Sequence, residues 1–143
     1  MRNTFLISIF VLFLYSCNKN KYTTAPQLKY KSVNTKSLHP GETLQFTLSF
    51  TDAEGDLTDK IFVQKIVRPC PTSPAGGFID SSNTLPLFPT GKDQSGDLLI
   101  TYNYISLNPL CNRNDTAIFK FVLRDKAQHL SDTAVSDAIV IFN

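Results

Sequence analysis

Residues 43–56 read TLQFTLSFTDAEGD, and their alternation decides the fold. Leu44, Phe46, Leu48 and Phe50 fall on one face of an extended chain, with Thr43, Gln45, Thr47, Ser49 and Thr51 on the other. Successive side chains of a strand point to opposite faces, so this stretch is a half-buried strand made of residue types that strands favour. It ends in Asp52-Ala-Glu-Gly-Asp56, a turn in which Gly55 supplies positive φ and the aspartates bond local backbone. The same period returns in residues 97–105, DLLITYNYI, with Leu98, Ile100, Tyr102 and Tyr104 on one face. Residues 116–125, TAIFKFVLRD, repeat it with Ala117, Phe119, Phe121 and Leu123. In the closing DAIVIFN, Ala138, Val140 and Phe142 are read as the common face. Residues 60–68, KIFVQKIVR, are strand-like without a decided facing, and residues 29–36 read as a first, edge strand guarded by its lysines.

No window shows helical periodicity and no internal repeat is present. Short strands joined by polar turns, with no helix to cover a sheet, define an all-β sandwich. The 117 residues from Gln27 to Asn143 are enough for one domain with a real core. Within them, FTLSFTDAEGDL (46–57) and FVLRDKAQHLSDTAVSDAIVIF (121–142) resemble bacterial Ig-like and cadherin-like lipoprotein domains. The chain lacks the core tryptophan of true immunoglobulin domains. The resemblance implies a single Ig-like sandwich in which residues 43–51 form strand B, 60–68 C, 98–105 E, 116–124 F and 133–142 G. Residues 69–96, between C and E, hold five of the eight prolines and four of the six glycines. Connections that long are uncommon in compact domains, and TLPLF (84–88) is read as a short edge strand within it.

Ahead of the domain, Phe5–Tyr15 is interrupted only by Ser8, an apolar run of 11 residues behind Arg2. A spanning helix needs about 20 residues, so this is the length of a secretory signal. Leu14-Tyr15-Ser16-Cys17 resembles the lipobox of bacterial lipoproteins, in which the cysteine is acylated and the chain is cut before it. An ordinary signal peptide with an incidental cysteine is the competing reading. The resemblance implies a signal peptide over residues 1–16, a tether over 17–26, and the sandwich over 27–143. It further implies a lipid anchor in the bacterial envelope, on the outer membrane and facing the periplasm, since the acids that mark some surface-exported lipoproteins are missing from CNKNK.

Charge is split along the chain. Five lysines and no acid lie between Cys17 and Gly41, whereas 12 acids and 8 bases follow from Glu42 onward. A basic leader beside a lipid is drawn to anionic head groups, and it serves equally as a solvated tether. The near balance over the whole chain excludes the strong basic excess of nucleic-acid binders.

Cys70 follows strand C and Cys111 precedes strand F, and C and F are neighbours in the Ig order. In an oxidising compartment this points to a structural disulfide, with a reactive thiol as the alternative. The chain has no Gly-x-Ser-x-Gly elbow, His-Glu-x-x-His helix or Gly-rich phosphate loop, so a non-catalytic role is expected. Asp52, Glu54 and Asp56 in the B–C loop, with Asp125 and Asp132 in the F–G hairpin, share one end of an Ig-like sandwich. Their oxygens suit Ca²⁺, and the cadherin-like resemblance implies calcium at that end; ordinary turn chemistry explains the same residues without a cofactor. Tyr102 and Tyr104 read as core rather than a sugar platform, leaving Phe78, Leu87 and Phe88 as apolar contacts for a glycan. The expectation is a lipid-anchored, non-catalytic envelope module acting in binding or assembly through its loops on a protein or glycan partner. The alternatives are a calcium-dependent or carbohydrate-binding accessory module and, third, an enzyme.

Overall fold

A computed structural model describes residues 22–57, 59–68, 78–89, 91–107, 109 and 111–143. The signal peptide, Cys17 and Cys70 lie outside the described residues. Among the described residues nine strands follow in order: β1 (Gln27–Val33), β2 (Ser37–Leu38), β3 (Thr43–Asp52), β4 (Lys60–Val67), β5 (Phe78–Thr84), β6 (Gln94–Asn103), β7 (Asp115–Arg124), β8 (Ala134–Val135) and β9 (Ile139–Ile141). A single helical turn, Tyr104–Leu107, follows β6. One sheet has the order β1-β3-β6, the other β2-β9-β7-β4-β5 with β8 also on β7. B therefore pairs with E and C with F, the arrangement the Ig order requires, and the chain is an all-β sandwich.

The alternating strands build the core as read. Leu44, Phe46, Leu48 and Phe50 of β3 are buried, as are Ala117, Phe119, Phe121 and Leu123 of β7. Across the two sheets the Phe46 ring lies 4.7 Å from Phe119 and 5.1 Å from Phe121. Strand β4 resolves its facing: Ile61, Val63, Lys65 and Val67 turn inward, so one lysine enters the core. Its Nζ donates to the Leu107 carbonyl at 2.7 Å. Burial pushes the Lys65 pKa below the ordinary lysine value, and nearby Asp115 partly opposes that shift.

Four expectations are corrected. The closing face is Ile139 and Ile141, both fully buried, while Ala138 is exposed and Val140 and Phe142 are half-buried. Ala134 and Ser136 point inward, and the next inward residue is Ile139, so one additional residue flips the phase. Strand G is thereby split, and serine hydroxyls bridge the gaps: Ser136 Oγ accepts the Phe119 amide and Ser131 Oγ the Leu123 amide, both at 2.9 Å. Second, β6 begins at Gln94 and ends at Asn103, because it pairs with β3 over all ten residues, from Thr43↔Asn103 to Asp52↔Gln94. Third, the edge strand inside the long C–E connection is β5, not residues 84–88, since β4 takes Thr84 through Phe78 as its antiparallel partner. Fourth, Phe88 is not an open contact, because its ring packs 5.3 Å from Phe50; Leu87 is the exposed residue there. Strand β1 is the edge expected, with a bulge between Tyr30 and Ser32.

Candidate functional site

The inward phase of β3 continues one step past Phe50 to Asp52, and that of β7 one step past Leu123 to Asp125. Both carboxylates are fully buried. Each core stripe, one from either sheet, thus ends in an aspartate at the same end of the sandwich. Asp56, half-buried, joins them from the β3–β4 turn, and one oxygen from each of the three lies within 4.8 Å of the others. Glu54 and Asp132, also candidates from the sequence, are exposed and outside this group.

Hydrogen bonds account for only part of the cluster. Asp52 Oδ2 accepts the Gly55 amide at 2.6 Å and the Asp56 amide at 3.3 Å. Asp125 Oδ1 accepts the His129 amide at 2.8 Å, and its Oδ2 lies 3.0 Å from His129 Nδ1. Asp52 Oδ1, Asp56 Oδ1 and Gln94 Oε1 are buried with no hydrogen-bond partner. Gln94 stands opposite Asp52 in the β3–β6 ladder. Its side-chain nitrogen donates to the Pro89 carbonyl, which leaves the amide oxygen turned away from that bond. Burial raises the Asp52 pKa; the Gly55 and Asp56 amides oppose the shift, and the Asp56 and Asp125 charges add to it. Among the described residues, the side chain recorded within ion-pair distance of these three aspartates is the His129 ring, on Asp125.

The surrounding loops are tied together by backbone. Lys126 N donates to Asp56 O at 3.1 Å and Asp93 N to Ala53 O at 3.0 Å. Ala53 N donates to Thr23 O at 3.2 Å, so Thr23, ahead of β1, lies against this same turn. Two nearby lysines are engaged elsewhere: Lys31 pairs with Asp97 at 2.8 Å and Lys36 with Asp137 at 2.9 Å.

A second feature is an open groove of about 740 Å³ on the outer face of the larger sheet. Phe62 and Gln64 of β4, Ser82 of β5, Lys120 and Val122 of β7 and Val135 of β8 line it. The outward positions of an open sheet are normally polar, so Phe62, Val122 and Val135 in one groove, with Ile118 also exposed on β7, are informative. The sequence reading placed no site on this face. Its signal was present in KIFVQKIVR and AIFKFVL, where apolar residues occupy both phases of the strand. The tyrosines fall in the core layer as expected, and Tyr104 Oη donates to the Phe142 carbonyl at 2.7 Å. Cys111, half-buried in the turn before β7, is not a free thiol. No helix among the described residues is long and apolar enough to cross a membrane.

No family model matches the chain, and no curated protein does. Among solved structures it is similar to the sporulation control protein Spo0M from Bacillus subtilis, at 15% identity and a TM-score of 0.41, over 84% of this chain and 49% of that one. It is also similar to a beta-glucosidase from Listeria innocua solved with gluconolactone, at 12% identity and a TM-score of 0.43, over 82% of this chain and 16% of that one. The chain thus spans about half the length of the first and a small part of the second.

Proposed function

We propose that this chain is a lipid-anchored, non-catalytic module of the bacterial envelope that acts in binding or assembly through the outer face of its larger sheet. The observation that carries the binding role is the apolar groove between β5, β4, β7 and β8, where Phe62, Val122 and Val135 face outward beside Lys120. Apolar groups gathered on a solvated face gain free energy when a partner covers them, by about 25 cal/mol per Å² buried. The anchor rests on the lipobox-like Leu14-Tyr15-Ser16-Cys17. Thr23, against the β3–β4 turn, is only six residues beyond Cys17, so an acylated cysteine holds the acidic end toward the bilayer. The groove, on a sheet face rather than at that end, stays open to the periplasm. Stable attachment takes two or more acyl chains, which a lipoprotein cysteine carries.

Two measurements test the reading separately. Mass spectrometry of the mature N-terminus should give an acylated Cys17, and Cys17→Ser should move the protein from membrane to soluble fractions; an unmodified terminus at another residue defeats the anchor. A photo-crosslinking side chain at Val122 should trap a discrete envelope partner in living cells, whereas one at Leu99, exposed on the other sheet, should not. Identical crosslinking from the two positions removes the groove as the binding face.

A further inference from the structure

The edges of the two sheets differ in how they are protected. A strand edge offers unpaired N–H and C=O groups to any other strand, and proteins blunt it with lysine, proline, a bulge or shortness. β1 carries Lys29 and Lys31 and a bulge between Tyr30 and Ser32. β2 is two residues long, and β5 is seven and polar from Asp80 to Thr84. β6 has none of these devices: its ten residues hold unbroken register on β3 and include no lysine or proline. Asp97, its one charged residue, is held by Lys31 at 2.8 Å. Among the described residues no strand pairs with its other side.

The phase of the ladder shows what that side presents. Tyr104 N donates to Glu42 O at 3.0 Å, in line with the Thr43↔Asn103 register, and on the other side of β3 Asn34 N donates to Gln45 O. Even-numbered residues of β3 and β6 therefore bond each other, and Ser95, Asp97, Leu99, Thr101 and Asn103 turn their backbone groups outward. Apolar side chains accompany them. Leu99 is 63% exposed, and Ile100 and Tyr102, which share the inward face of Leu98, are only half-buried.

We propose that β6 pairs with β6 of a second copy of this chain, antiparallel about a two-fold axis at Leu99, so that two of the smaller sheets join into one. In that register the strand is its own complement. Leu99 meets Leu99, Asp97 stands opposite Thr101 and Ser95 opposite Asn103, so like charges are not brought face to face. On the inward face Leu98 stands opposite Ile100, and Gly96 opposite Tyr102, small against large. An axis at Asp97 would oppose two carboxylates, and one at Thr101 would carry Asp97 past the end of the strand. A strand pair covers less area than a standard interface, so the dimer is micromolar and reversible. Its two-fold runs through the sheets, which keeps the outer-face grooves of both copies on one side and sets the two acidic ends apart. Each Thr23 is six residues from Cys17, about 20 Å of extended chain, so both copies reach one bilayer when the pair lies along it. The pairing itself depends neither on the anchor nor on what the groove binds.

Light scattering on the full chain purified in detergent should give a protein mass that rises from one copy to two through the micromolar range. Leu99→Lys sets two ammonium groups across the axis and should weaken the dimer by about tenfold or more, and Leu99→Glu should do the same. An equimolar mixture of the two variants should restore a mixed dimer, because this axis sets residue 99 against itself. Leu99 is exposed, so neither variant loses core packing, which unchanged far-UV circular dichroism checks. Val135→Lys, in the groove, should dimerise like wild type. In cells, a crosslinker at Leu99 should join two copies of this chain and trap no other protein. A mass of one copy throughout overturns the proposal, as does a mixture that stays monomeric. So do a loss in Val135→Lys as large as in Leu99→Lys, and a different protein trapped at Leu99, which would give the edge to a foreign strand.

Discussion

Replacing Gly55 with alanine separates two costs that glycine avoids, and the chain supplies its own control. Gly55 has φ +73 and Gly41 has φ +86, so an alanine at either position enters the left-handed region. That conformation costs a non-glycine residue about 1–2 kcal/mol. Around Gly41 nothing lies within 4 Å of a new Cβ, and this backbone cost is the whole effect. At Gly55 the Cβ would stand 1.7 Å from the Gly91 carbonyl oxygen and 2.7 Å from its carbon, both backbone atoms that no rotamer change can move. The β3–β4 turn and the loop before β6 must part. That strains the bond from Asp93 N to Ala53 O and the one from Gly55 N to the buried Asp52 Oδ2. Losing one partner of a buried carboxylate adds about 1–3 kcal/mol, bringing Gly55→Ala to about 2–5 kcal/mol against about 1–2 for Gly41→Ala. For a domain of this size the melting temperature should fall by roughly 8–20 °C in the first and about 5 °C in the second. Gly91→Ala, with open space around it, should be near neutral. Thermal unfolding followed by circular dichroism decides the matter. If Gly55→Ala and Gly41→Ala melt together, the close approach to Gly91 does not exist and the packing of the acidic end is misdescribed.

Three further outcomes are expected. Phe46→Ala removes the ring that meets Phe119 and Phe121, and urea unfolding should show a loss of about 3–5 kcal/mol, while Leu99→Ala on the outer face should stay within about 0.5 kcal/mol. Lys65 has a folded pKa below its unfolded one, so the native state binds fewer protons between the two values. Wild type should gain on Lys65→Met as pH rises through that window toward 10.5, by at most about 1.4 kcal/mol per pH unit, with no such slope below it; equal pH profiles of the two proteins would mean the lysine is not buried. Non-reducing peptide mapping should recover Cys70 joined to Cys111, a link worth about 4 kcal/mol for a loop of 41 residues, and recovery of Cys70 as a free thiol would exclude it.

The sandwich was legible because its central strands carry one apolar phase each. In β3 and β7 the residues that alternate in sequence are those that interdigitate in the core. Legibility failed where backbone pairing, not side-chain burial, extends an element. Gln94–Asp97 joins β6 because β3 offers it ladder partners, although its side chains are polar or absent. It failed also at the end of the chain, where a single additional residue between Ser136 and Ile139 reversed the facing. A period-two pattern carries no record of such a slip, and both phases of residues 138–142 are apolar enough to accept burial.

The acidic end shows the same limit from the other side. Five acids were legible as neighbours because Ig order puts two loops together, yet loop membership does not say which side chains turn inward. Strand phase does. Counting onward by twos from Phe46 reaches Asp52, and from Phe119 reaches Asp125, the two that are fully buried. Glu54 has already left the strand, and Asp132 lies beyond the turn that follows β7, so both face solvent. Gln94 had no signal of its own, since its place follows from a ten-residue register that its own residues do not announce. An aspartate that continues an apolar stripe is costly wherever it is left alone. Two such stripes, from opposite sheets, end in aspartates at one place with a third acid beside them. Turn formation accounts for Asp52 Oδ2 and leaves Oδ1 buried without a partner, a feature that the Asp-x-x-Gly pattern of the turn does not announce.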